Sequence, residues 1–415
     1  MERRPVGFLV ILHALLVYAN AQSFIGVNYG EAADNLPPPS ATARLLQATT
    51  ISKLRLYSVD AAMVQALANT GVSLVVGTSN ADIPSFASDP SKASQWLSAN
   101  VLPYVPSSSI SVISVGNEFL NYGDPALFPQ LLAAMQNLHS ALPPGSNIKV
   151  STVHAMAVLA QSDPPSSGAF HAELAPLLTS ILGFLSQTAS PFMINPYPYF
   201  AFRDDPRPDT LAYCLFQPNP GRLDAGSGVT YTNMFDAQVD AVRSALNSAG
   251  FPGVEIVVAE TGWPYNGDAG EPGATMENAR AFTGGLVQHL RSMAGTPLMP
   301  GKPVDTYIFE LYDEDLKAGP TSERSFGLYR PGDQTAIYDA GLSKSSSGQS
   351  NATAPRRPYR PPPPPPRQPK SPAVQQPMNQ TAPTSSSNPP WNSGSSFPHL
   401  SFFFSLCIAC LIIAF

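Results

Sequence analysis

The chain has 415 residues, 43% of them hydrophobic and 13% charged, with a formal net charge of −6. This is apolar material for one large core or for two or three ordinary ones, and the thin, mildly acidic charge leaves no electrostatic footprint for a nucleic acid. Both ends differ sharply from what lies between them.

At the start, Arg3 and Arg4 precede an apolar run from Val6 to Val17, and Ala19-Asn20-Ala21 follows with the small-x-small pattern of a cleavage site. The pattern predicts a signal peptide over residues 1–21 and a mature chain from Gln22. The run is too short to favour a membrane anchor.

From Ser23 to Leu342 short β-branched runs recur: "FIGVNYG", "SKLRLYS", "VSLVVGT", "SVISVGNE", "IKVSTVH", "FMINPYPYF", "VEIVVAETGW" and "VDTYIFELYDE". Stretches with helical spacing separate them, among them Ser40 to Ala48, Ala61 to Ala68, Ser91 to Leu102, Pro125 to Ala141, Met234 to Ala249 and Met276 to Ala294. Continuous apolar strands alternating with amphipathic helices predict a parallel sheet covered by helices. Eight strands in one α/β domain over residues 22–342 point to a single (β/α)8 TIM barrel. A doubly wound open sheet is the alternative, although "GVNYGEAADN" lacks the G-x-G-x-x-G turn such sheets use to hold a dinucleotide.

In a barrel the chemistry gathers where strands end. The strand ends here carry Asn28 and Tyr29, Tyr57, Asn117 and Glu118, Asn195, Tyr197 and Tyr199, Glu260 and Trp263, then Glu310, Tyr312, Asp313 and Glu314. A glutamate closing a buried strand is costly unless it is partnered or used. Glu118 and Glu260 would face each other across the mouth. Two carboxyls flanked by aromatics are what glycoside hydrolysis requires, one neutral to protonate a leaving oxygen and one ionised to attack or to activate water. The residues alone leave a structural pairing of both glutamates with rim Arg or Lys open.

Other chemistries find little support. There is no H-E-x-x-H, no paired Cys-x-x-Cys and no G-x-S-x-G, so neither a metal nor another cofactor is expected. "GTPLMPGKP" only loosely echoes a phosphate loop, and its prolines remove the amide donors that would hold phosphate. With Cys407 and Cys410 in the tail, Cys214 stands alone in "LAYCLFQP", and its apolar neighbours predict a buried structural thiol.

From Leu342 onward Ser, Pro, Gln and Asn dominate, with a proline run from Pro361 to Pro366. Residues 343–392 therefore read as a disordered Pro/Ser-rich stalk, glycosylated at Asn351 and Asn379. Small residues from Asn392 to Ser396, a spacer and a terminal apolar tail follow the pattern of a GPI signal. Attachment would fall at Asn392 or Ser393, with residues 393–415 removed. The tail is shorter than the roughly twenty residues a membrane span needs.

At "GVNYG", "LRLY", "SVGNE", "NPYPYFAF", "VVAETGWP", "YIFELYDEDLK" and "ERSFGLY" the chain resembles the plant glucan endo-1,3-β-glucosidases, glycoside hydrolase family 17. The motifs run in family order over nearly all of residues 24–342. The resemblance implies a retaining, metal-free enzyme that cleaves internal β-1,3-glucosyl bonds of cell-wall glucan such as callose. It implies Glu118 as general acid/base, Glu260 as nucleophile and Asn117 as the amide bonding the sugar hydroxyl beside the reacting carbon. Glu314, Lys317 and Glu323 would form a charged cleft cluster, and Tyr57, Tyr199, Phe202 and Trp263 would contact sugar. After "ETGWP" the family pattern has Ser where this chain has Tyr265, which places the following loop in question. The expected setting is a monomer held at the outer face of the plasma membrane by a GPI lipid. A transglycosylase, or a surface protein that binds β-glucan without cleaving it, is the alternative.

Overall fold

The computed structural model describes residues 24–105 and 107–344. The predicted signal peptide, the stalk with Asn351 and Asn379, and the attachment site at Asn392 or Ser393 lie outside the described residues.

Eight parallel strands close into a barrel: β1 Ile25–Tyr29, β2 Lys53–Leu56, β3 Ser73–Thr78, β4 Ser109–Asn117, β5 Lys149–Ala155, β6 Phe192–Asn195, β7 Ile256–Thr261 and β8 Asp305–Ile308. Each apolar run read from the sequence supplies one strand. Each strand pairs with its neighbours in chain order until β8 returns to β1, with Ile25 opposite Thr306. That closure rules out the open doubly wound sheet.

The strands read as continuous apolar runs because both faces are covered. Val75, Val153, Met193, Val257, Ala259 and Tyr307 pack together along the barrel axis, while Val27, Leu54, Leu56, Val76 and Ile113 pack outward. Eleven helices are described: α1 Pro39–Ala48, α2 Ala61–Ala66, α3 Ile83–Ser88, α4 Pro90–Asn100, α5 Phe119–Tyr122, α6 Gln130–Ala141, α7 Ala175–Thr188, α8 Pro198–Asp204, α9 Pro208–Cys214, α10 Met234–Ser248 and α11 Met276–Arg291. Side-chain caps fix the starts of α2, α4, α10 and α11, as where the Asn233 side chain accepts from the Asp236 amide at 2.8 Å.

Three departures from the sequence reading matter. Pro125 to Ala141 is not one helix, since a 3₁₀ turn over Pro125–Leu127 precedes α6. Helix α7 and two hairpins, Leu159–Gln161 with Ala169–Phe170 and Arg222–Asp224 with Val229–Tyr231, went unread. Finally, "NPYPYFAF" leaves β6 at Asn195 and enters α8 with Pro198 in its first turn, a position where the missing amide hydrogen costs nothing. Cys214 is buried as expected. Its thiol donates weakly to the Pro198 carbonyl at 3.4 Å, and burial pushes its pKa up to about 12. At the far end the fold is tied back to α1, where the Lys344 amide donates to the Ala48 carbonyl at 3.0 Å.

Candidate active site

The site is built on Arg55. In "LRLY" alternation turns Leu54 and Leu56 outward and Arg55 into the barrel, where it is 1% exposed. One guanidinium nitrogen donates to Glu260 Oε1 at 2.6 Å and to the Ala259 carbonyl at 3.2 Å. Another donates to Asn117 Oδ1 at 2.6 Å. A single cation thus ties β2 to the ends of β4 and β7.

Glu260 reaches this cation through an irregularity in its strand. Val257 and Ala259 face the axis, so strict alternation would send Glu260 outward with Val258. The register between β7 and β8 shifts between Val258 and Thr261, and such bulges re-aim side chains. The Tyr197 hydroxyl donates to Glu260 Oε2 at 2.9 Å, so both carboxylate oxygens are held. A guanidinium and a phenol on one carboxyl make strong, geometrically fixed bonds.

Glu118 follows β4 in the left-handed region, at φ 50° and ψ 33°. That conformation is unfavourable for a residue with a Cβ and typical of functional positions held by their surroundings. The Glu118 amide donates to the Val153 carbonyl at 2.9 Å. Asn80 clamps the preceding turn, accepting from the Asn117 amide at 2.8 Å and donating to its carbonyl at 3.0 Å. Gly116, at φ 69°, leaves room for that clamp, since a Cβ there would lie 2.4 Å from Asn80 Oδ1. Asn195 Nδ2 donates to Glu118 Oε1 at 2.7 Å. Burial, and next the charge of Glu260, raises the Glu118 pKa to about 7 against the opposing pull of Asn195, Arg55 and Lys317.

A charged cluster stands beside the pair. Lys317 meets Glu323 at 3.1 Å and lies 4.4 Å from the centre of the Phe309 ring. Burial alone would lower its pKa, but Glu323, Glu310 and Glu314 more than offset that and hold it above the usual lysine range. Glu314 accepts from the Ala32 amide at 2.9 Å and lies against Gly30, where a Cβ would come within 2.1 Å of its carboxyl. Glu310 is fully buried, and neither of its carboxyl oxygens has a partner among the described residues. Burial, and then the neighbouring Glu314, raises its pKa far above the carboxylate range, so it stands as a neutral acid.

The aromatics divide differently from the sequence expectation. Tyr57 stays at the mouth, with the Arg55 guanidinium 4.4 Å above its ring and no hydrogen-bond partner for its hydroxyl among the described residues. Tyr199, Phe202 and Trp263, expected as sugar contacts, are buried at 0%, 5% and 1% exposure. Trp263 stacks on Phe202 at 5.8 Å, meets Tyr199 edge-on at 5.3 Å and donates from Nε1 to the Gly273 carbonyl at 2.7 Å. They form the packed wall behind the site, not open faces. Read as strand, "YPY" places Tyr197 and Tyr199 on one face. Helix α8 separates them, leaving Tyr197 on Glu260 and turning Tyr199 and Phe202, three apart, into the wall. The half-buried ring at the mouth is instead Phe200, 5.1 Å from Tyr197 and with the Arg203 guanidinium 4.8 Å from its centre.

Tyr265, the residue set apart from the family pattern, staples loops together. Its hydroxyl donates to Asp313 Oδ2 at 2.5 Å, its amide donates to the Ser325 carbonyl at 2.8 Å, and Asp313 Oδ1 accepts from the Gly327 amide at 2.8 Å. The loop after β7 is therefore locked to the segment after β8.

Sequence reading passed over Arg55 and left Asn195 and Tyr197 without roles. The signal for Arg55 was a cation set between Leu54 and Leu56 in the interior of a strand. One further feature marks the mouth as a polyol site. Asn28 Oδ1, Tyr57 Oη, Asn195 Oδ1, Thr261 Oγ1 and both Glu310 oxygens are buried without a hydrogen-bond partner among the described residues. Buried polar atoms are rarely left so, and these five residues at or just after strand ends fit a site completed by a ligand rich in hydroxyls.

Comparison with known proteins gives the same answer. The family model of glycosyl hydrolases family 17 matches residues 25–341. The chain is 61% identical over 345 residues to glucan endo-1,3-beta-glucosidase 7 of Arabidopsis thaliana, covering 82% of this chain and 68% of that one. It is 55% identical over 352 residues to the glucan endo-1,3-beta-D-glucosidase of Olea europaea, covering 84% and 76%. Among solved structures, CJP38, a beta-1,3-glucanase and allergen of Cryptomeria japonica pollen, superposes with a TM-score of 0.73 at 41% identity, covering 77% of this chain and 99% of that one. With the motifs in order, the closed barrel and the paired glutamates at its mouth, the chain belongs to glycosyl hydrolases family 17.

Proposed function

We propose that the protein hydrolyses internal 1,3-β-D-glucosidic bonds of β-1,3-glucan with retention of configuration. Glu118 donates its proton to the glycosidic oxygen as the bond from that oxygen to the anomeric carbon breaks. A Glu260 oxygen bonds to that carbon, forming a covalent glycosyl-enzyme. Glu118, now a carboxylate, takes a proton from water as the water oxygen displaces Glu260. The observation that carries this reading is the contrast between the two carboxyls. Glu260 is gripped by Arg55 and Tyr197, which occupy both of its oxygens as acceptors, while burial and the charge of Glu260 drive Glu118 up to about 7, so Glu118 is the carboxyl suited to donate a proton. Asn117 spends its oxygen on Arg55, which leaves Nδ2 to bond a sugar hydroxyl. Lys317, Glu314 and Glu323 set the charge around Glu118, and Tyr57 lines the mouth. No metal or other cofactor enters these steps.

The physiological substrate would be wall β-1,3-glucan such as callose. The processing signals at both ends support a protein carried on a glycosylated stalk from a GPI lipid, outside the plasma membrane. Products from linear β-1,3-glucan test the reading. Short internal fragments released first as the β-anomer are expected. Products longer than the substrate would indicate transfer, and tight binding without cleavage would indicate a binding protein.

The pH dependence follows from Glu118. The donor must carry its proton, so kcat/KM is expected to fall about tenfold per unit as pH rises beyond about 7. Stability moves the same way. A carboxyl with a raised folded pKa stabilises the fold below the unfolded value of 4.5, and that contribution is lost as pH rises through about 7. Glu118→Gln, which cannot ionise, is therefore expected to unfold at a higher temperature than wild type at pH 8, with the gap closing at pH 4.

A further inference from the structure

Beside the catalytic mouth lies a second cavity, of about 230 Å3. Its walls come from the connections that follow β5 and β6, so it opens on the face of the barrel that carries Glu118 and Glu260. Helix α8 separates the two sites, with Tyr197 at its start on Glu260 and Ala201, one turn on, lining the cavity.

The walls are rigidly built. Asp224 in one hairpin accepts from the Ser166 amide at 2.8 Å and the Ser166 hydroxyl at 2.6 Å, joining it to the loop between the strands of the other. Fully buried Asp240 on α10 accepts from the Tyr231 hydroxyl at 3.0 Å, the Thr296 hydroxyl at 2.5 Å and the Leu298 amide at 2.9 Å. Between these anchors, several groups are left for a ligand. Arg222, laid 4.6 Å over the Tyr213 ring, spends one nitrogen on the Thr210 hydroxyl at 2.7 Å and forms no ion pair among the described residues. Gln238 Oε1 is buried with no hydrogen-bond partner among them. Asp163 adds a carboxylate at the lip, and Leu223, 68% exposed, holds an apolar side chain in solvent beside it.

A guanidinium, a carboxylate and an unsatisfied amide oxygen around an apolar lip suit a neutral ring that has hydroxyls on its edge and C–H groups on its face. Hydrophobic lining with a few convergent polar groups is the general make-up of a small-ligand site. We infer that this cavity is a second saccharide site, which holds a glucosyl unit of a long β-1,3-glucan whose scissile bond lies between Glu118 and Glu260. The inference rests on the proposed function. It gives the enzyme a grip on polymer that a short oligosaccharide cannot use.

The test compares the full chain with its Arg222→Ala, Gln238→Leu and Leu223→Asp variants on a long linear β-1,3-glucan and on the tetrasaccharide. For each variant KM on the long glucan is expected to rise about 2- to 10-fold, the worth of one net hydrogen bond for Arg222 and Gln238 and of an apolar contact for Leu223, with the tetrasaccharide unaffected. Leu223 stands in solvent, so its variant keeps the wild-type unfolding temperature and guards against misfolding. Equal kinetics of Leu223→Asp and Gln238→Leu with wild type on both substrates, or equal loss on both, would overturn the second site alone. A wild type that cleaves neither substrate would remove the proposed function, and the second site with it.

Discussion

Glu260→Gln is expected to lose on the order of 10⁴- to 10⁶-fold in kcat while remaining folded, because it removes the group that makes the covalent bond. Glutamine keeps the shape of the side chain, and its amide oxygen can still accept from Arg55, so the barrel mouth loses a charge but gains no cavity. Glu118→Gln should cost less, about 10²- to 10⁴-fold, the usual worth of general acid–base help. The two losses must also differ in kind. With Glu118 gone, a substrate bearing an acidic phenol as leaving group needs little protonation, so its first step recovers and the glycosyl-enzyme accumulates. With Glu260 gone, no leaving group helps. Azide separates the roles by stereochemistry. In Glu118→Ala it attacks the glycosyl-enzyme and gives the β-glycosyl azide, whereas in Glu260→Ala it enters from the vacated side and gives the α-azide. Swapped products would exchange the two assignments. Unchanged hydrolysis in either variant would end the mechanism.

The sequence was most legible where one short stretch decides the structure. Each apolar run became a barrel strand because burial on both faces of a parallel sheet leaves a signal within four to nine residues. Glu118 and Glu260 were legible for a related reason, since a carboxyl ending such a run calls for an explanation. What remained hidden depended on distance or on a change of period. Arg55 meets Glu260 across 205 residues, and nothing in "SKLRLYS" announces a partner so far away. Tyr199 and Phe202 were expected at the sugar from the resemblance alone, and their burial follows from a strand that turns into a helix within "NPYPYF", where a change in period from 2 to 3.6 reassigns every side chain after it. Helix α7 was lost for a simpler reason. "APLLTSILGFLSQT" carries the signal, with Leu178, Ile181, Leu182 and Leu185 buried at helical spacing and Thr179, Ser180, Ser186 and Gln187 on the exposed face, but its mostly apolar composition resembles the neighbouring strand runs. Tyr265 shows the reverse case. The family pattern flagged it as a threat to the cleft, and the structure uses it as a staple.

Arg55 answers the question of how a glutamate can close a buried strand, and its removal carries the second large effect. Arg55→Met leaves Glu260 with only the Tyr197 hydroxyl and strips the donor from Asn117 Oδ1. Breaking a buried pair from one side typically costs about 3–5 kcal/mol, because the surviving charge keeps its desolvation penalty without its partner. Glu260 can escape some of that cost by taking up a proton, and a protonated nucleophile cannot attack. The acid limb of the kcat/KM profile is therefore expected to move upward, and the alkaline limb, set by Glu118, loses the downward pull of Arg55 as well. Arg55→Lys keeps a positive charge but lacks the planar fork that serves Glu260 and Asn117 together, and it should fall between the two. Pairing Arg55→Met with Glu260→Gln should return much of the lost stability without returning activity, since the stranded charge is gone while the nucleophile remains absent. Unfolding temperatures for the four proteins, with pH profiles for the active ones, test this directly. An Arg55→Met protein with wild-type stability and an unmoved acid limb would show that Glu260 owes its position to Tyr197 and the strand irregularity alone.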